Sequence, residues 1–156
     1  MSLSYFENLF GFYIRLANMQ FPQKIPGFRW LLMVWAVYTA VWISREGALW
    51  QVVTMGTMTT MLLVGFGWER WLGGKPVQHG VGVLVTAVSG VILGAGSSLL
   101  SLLFMTIKTG LHAHGPEFSQ AEIAWVWNSL PLWTAVGLLV GLGLGLIWAG
   151  MKETGD

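Results

Sequence analysis

The sequence predicts an all-α polytopic membrane protein, with four transmembrane helices in two hairpins and an N-terminal amphipathic helix lying in the interface. Three observations predict it. Hydrophobic residues make up 54% of the 156 and charged residues 10%, with a mean hydropathy of +0.64, whereas soluble chains carry about 25% charge. The charges gather between four uncharged runs, 15 residues over 30–44, 22 over 47–68, 28 over 80–107 and 29 over 123–151. Four crossings also sort the bases unevenly. Arg15, Lys24, Arg29, Arg70, Lys75 and Lys152 fall on one side, and Arg45 and Lys108 on the other. That bias places both termini in the cytoplasm, in a bacterial inner or an organellar membrane. Were the first run re-entrant, the same bases would divide five against three.

The length fits a single membrane domain. A net charge of +1 excludes a basic nucleic-acid face, and the absence of cysteine excludes disulfides, thiolate metal sites and a cysteine nucleophile.

Residues 4–21 open the chain as the interfacial helix. Ser4 and Glu7 form a capping box, and Glu7, Asn8, Gly11, Arg15 and Asn18 share one polar arc beside an aromatic and aliphatic face. The start lacks the basic stretch, apolar run and small-residue site of a signal peptide. Pro22 and Pro26 end this helix. The first span, 29–45, reaches only about 22 Å over its uncharged part against a hydrocarbon core of about 30 Å, so Arg29 and Arg45 extend to the interfaces. Arg45, Glu46 and Gly47 turn the first hairpin into the second span, 47–68. The third span is 80–107. A second capping box, Ser119 to Glu122, with the staple pair Phe118 and Ile123, starts an external interfacial helix over 119–130. Pro131 then opens the fourth span, 131–150. Many of the ten tryptophans sit near span ends, as an aromatic belt requires.

Small residues recur every fourth position, at Gly82, Thr86, Gly90, Gly94 and Ser98 in the third span and at Gly137, Gly141 and Gly145 in the fourth. Lipid supplies no hydrophobic drive for helices to associate, so close backbone approach must. The stripes therefore pack the two spans on each other or on another subunit. Met55, Met58 and Met61 recur every third residue among threonines, a spacing that suits adaptable core filling better than a copper ladder. In the external loop, His112, His114 and Glu117 form a candidate metal or tetrapyrrole-edge site, because alternate residues of an extended chain face one side.

No Asp, Glu, Lys or Arg lies mid-span and no phosphate-binding glycine loop precedes a lysine, which argues against ion pathways, ATPases and enzymes generally. The expected function is that of a non-catalytic accessory, scaffolding or assembly subunit, with membrane lipids and other integral membrane subunits as partners. A metal or tetrapyrrole binder and a small-solute channel or transporter are the alternatives.

Overall fold

The computed structural model describes residues 18–21, 23–45, 47–111 and 117–153, and its element order is β1 (Asn18–Gln20), α1 (Phe28–Ile43), α2 (Leu49–Gly67), a π-helical turn (Trp68–Leu72), β2 (Pro76–Gln78), α3 (His79–Leu111) and α4 (Gln120–Glu153). Three helical segments, Leu49–Leu72, His79–Leu111 and Gln120–Met151, are long and apolar enough to cross a membrane. The 16-residue α1 is apolar but shorter. At 1.5 Å per residue it extends about 24 Å.

Two boundaries differ from the sequence expectation. Residues 4–17 of the interfacial helix lie outside the described residues, but its end does not continue as helix. Asn18–Gln20 is an extended strand, paired antiparallel to β2 with Asn18 opposite Gln78 and Gln20 opposite Pro76. Pro22 disfavours helical backbone at Phe21 just before it, and the ladder with β2 satisfies the backbone groups that a helix would have used. The second difference concerns Pro131. The external helix over 119–130 and the fourth span over 131–150 are one helix, α4, with the proline inside it. Proline removes one backbone donor, and such a residue is tolerated where neighbouring hydroxyls satisfy freed backbone groups. In the next turn the Thr134 hydroxyl donates to the Leu130 carbonyl at 2.7 Å, and the helix continues through the proline. The capping box begins the joined helix: Ser119 N–H donates to Glu122 Oε2 at 2.8 Å, and Glu122 N–H donates to Ser119 Oγ at 3.3 Å.

α3 is the central element. α4 packs along one side of it and α2 along another, while α2 and α4 scarcely touch each other among the described residues. The α3–α4 seam runs over glycine. A Cβ on Gly90 would lie 2.0 Å from the Gly137 carbonyl oxygen, on Gly94 2.1 Å from that of Trp133, and on Gly141 2.3 Å from that of Thr86. On Gly145 it would lie 2.3 Å from the Thr86 hydroxyl, and Gly82 and Ser98 are buried on the same helix face. The α2–α3 contact uses glycines that the four-residue pattern did not single out. A Cβ on Gly56 would meet Ser101 Oγ at 2.3 Å, and one on Gly96 would meet Thr60 at 2.7 Å.

α1 lies against α2 through Phe28, whose ring faces Gly65, and through the Trp35 indole, which donates to Thr59 Oγ1 at 3.0 Å. One end of the bundle is closed by a core of Trp42, Val52, Met55, Phe104, Met105, Phe118 and Val126. At the other end the buried Phe21 ring meets Trp68 and Trp148 edge-on, at centroid distances of 5.3 and 5.1 Å. Of the three methionines, Met55 is core, whereas Met58 and Met61 are exposed, so they form no continuous ladder.

Candidate functional site

Because α2 and α4 flank α3 without meeting, an apolar groove of about 800 Å³ opens between them. Its floor is the α3 row Ser89, Leu93 and Ser97, spaced one turn apart. One wall is α2, through Thr57 and Met61; the other is α4, through Trp133, Val140 and Ile147.

Hydroxyls line this groove, yet they leave it apolar. Thr57 donates to the Val53 carbonyl at 2.8 Å, Ser101 to that of Ser97 at 2.7 Å, and Thr86 to that of Val83 at 2.9 Å. Ser97 donates to Leu93 in the same way, and Ser89 Oγ accepts the Trp68 indole N–H at 2.8 Å. A hydroxyl bonded back to its own helix needs no further donor or acceptor. Thr39 Oγ1, Trp42 Nε1, Glu69 Oε2 and His79 Nε2 are buried without a hydrogen-bond partner, and all four lie outside the groove.

A buried ion pair stands near the Trp125 end of the groove. The Lys108 side chain is 0% exposed and its Nζ lies 3.1 Å from Glu117 Oε1. The same ammonium donates to the Arg45 carbonyl and stands 4.3 Å from the centroid of the Trp42 ring. Glu117 Oε1 also accepts the Gly47 N–H at 2.7 Å. A Cβ on Gly47 would come within 2.9 Å of Lys108 Nζ, so a larger residue there would press on the ammonium. The arrangement ties the 45–47 turn to the 108–117 connection. A buried charge is tolerated when a counter-ion, hydrogen bonds and an aromatic face replace its water.

Sequence reasoning placed Lys108 on the external side, just past the third span, and missed its burial. Its partners, Arg45 and Glu117, are 63 and nine residues away, and neither spacing is a helical neighbour relation. The one available signal was a lone base directly after an uncharged run, beside an acid in the next connection. Of the predicted metal-site residues, His112 and His114 lie outside the described residues. Glu117 is described, and a cation bound there would share its carboxylate with Lys108. No protein family, curated protein or solved structure matches the chain.

Proposed function

We propose that the chain is a non-catalytic accessory, scaffolding or assembly subunit of a larger membrane complex. The observation that carries this reading is the apolar surface the bundle turns outward, with Val34, Val37 and Val41 on α1 and Leu132, Leu139 and Leu146 on α4 all exposed. What these faces offer a neighbour is apolar shape, which is the currency of helix packing in lipid.

Four crossings support the proposed topology better than three. Phe21 sits with Trp68 and Trp148 at one end of the bundle, and the Arg45 carbonyl is bonded by Lys108 at the other. The chain between them thus covers the same distance as α2, even though the helical part is short. Exposed indoles cluster at both levels, Trp30 and Trp71 at the first and Trp50, Trp125 and Trp127 at the second, where amphipathic rings favour the membrane–water boundary.

Two measurements test the reading. Reporter fusions at Asp156 and within 112–116 are expected to report opposite compartments, with the C-terminal one cytoplasmic; a shared compartment refutes this topology. Purification from native membrane in a mild detergent is expected to bring down further integral subunits in fixed stoichiometry. Recovery of the isolated chain alone, under conditions that preserve other membrane complexes, contradicts the subunit assignment.

A further inference from the structure

We propose that the groove between α2 and α4 holds a hydrocarbon chain of an anionic phospholipid, whose headgroup lies at the Trp68–Trp148 end. This inference does not depend on the subunit assignment.

The dimensions select the occupant. On α4 the lining runs from Trp125 to Met151, about 39 Å at the helical rise. Counted out to its open face, the groove has about 1850 Å³ of empty space, a mean cross-section of at most about 47 Å² over that length. A helix with its side chains is about 10–12 Å across and needs about 80–110 Å². A polymethylene chain, whose carbons approach their neighbours at about 4 Å, needs about 20 Å². The groove has room for one or two acyl chains side by side and is narrower than a whole helix. Its chemistry agrees, because the Thr57, Thr86, Ser97 and Ser101 hydroxyls that line it are bonded to their own helices and ask nothing of an apolar chain.

Charge selects the headgroup and its end. Lys24, Arg29, Arg70 and Lys75 are exposed at the end marked by Phe21, Trp68 and Trp148, against a half-buried Glu69. At the opposite end, among the described residues, the Lys108 charge is consumed by Glu117, and one exposed base, Arg45, is set against Glu122, which stands three residues from Trp125. A phosphodiester anion is favoured beside the four exposed bases.

The test uses the full chain in mild detergent. After delipidation it is offered phosphatidylglycerol or phosphatidylcholine in mixed micelles, and retained lipid is read by native mass spectrometry. One phosphatidylglycerol is expected to remain bound, at least tenfold in preference to phosphatidylcholine. Leu93→Trp and Val140→Trp, which fill the groove from floor and wall, are expected to lower retention at least tenfold with helicity unchanged. Gly143→Leu, where no neighbour lies within 4 Å, is expected to retain lipid as the parent does. The double variant Arg70→Gln/Lys75→Gln is expected to lose the preference between headgroups. Parent-like retention in both tryptophan variants overturns the proposal. So does absence of bound lipid in the parent, recovery of an isoprenoid in place of a phospholipid, or photo-crosslinking from position 93 to protein.

Discussion

Lys108→Met is expected to lower stability by about 3–5 kcal/mol, the usual effect of removing one partner from a buried ion pair. Methionine keeps the length and apolar stem of the lysine but withdraws the ammonium from Glu117, the Arg45 carbonyl and the Trp42 ring. The Glu117 carboxylate, 12% exposed, then loses the opposite charge that offsets its desolvation, while its hydrogen bond from the Gly47 N–H remains. Thermal unfolding in detergent checks the result. The pair Lys108→Met/Glu117→Gln is expected to recover much of the loss, since a neutral amide is cheaper to bury than an unpaired carboxylate. Parent-like unfolding of Lys108→Met would show that the pair contributes nothing net. The substitution also removes a base from the poorly charged side, which strengthens the six-to-two bias, so a change in topology is not expected.

Gly137→Ala is expected to destabilise the α3–α4 seam by about 1–3 kcal/mol, in the manner of overpacking a core. Its new Cβ would stand 2.1 Å from the Gly90 carbonyl oxygen, with the Gly94 nitrogen at 3.2 Å. Both obstacles are backbone, so relief requires the helices to separate. Gly90→Ala meets the reciprocal obstacle, the Gly137 carbonyl oxygen at 2.0 Å. Gly143→Ala and Gly150→Ala supply the contrast, because neither Cβ has a neighbour within 4 Å. Alanine favours helix over glycine by about 1 kcal/mol, so these two are expected to be neutral or slightly stabilising. Four alanine variants compared by thermal unfolding in one detergent decide the matter. Equal behaviour of Gly137→Ala and Gly143→Ala would remove close backbone approach as the basis of the seam.

Features governed by short-range chemistry were legible in advance. The Ser119–Glu122 capping box involves residues three apart in a geometry common to helix starts, and its hydrogen bonds follow. The stripes at Gly90, Gly94, Gly137 and Gly141 were legible because four-residue spacing puts small residues on one helix face. Reading stripes by period alone also hid something. Gly56 and Gly96 do not recur within their helices at that spacing, yet each abuts a neighbouring helix. Pro131 misled for a related reason: a proline signals a missing donor, yet a long helix packed along its neighbour can continue through it.

By itself the sequence determined the helical membrane class, the presence of three long apolar segments and the rows of small residues available for contact. Each follows from composition or from a period along one chain. Only the tertiary structure decided that α3 is central, that α2 and α4 stand apart to open the groove, and that Lys108 is buried against Glu117 and the 45–47 turn. These depend on which faces of separate helices meet. In lipid, apolar faces differ little in their transfer energy, so shape and a few long-range polar contacts make that choice.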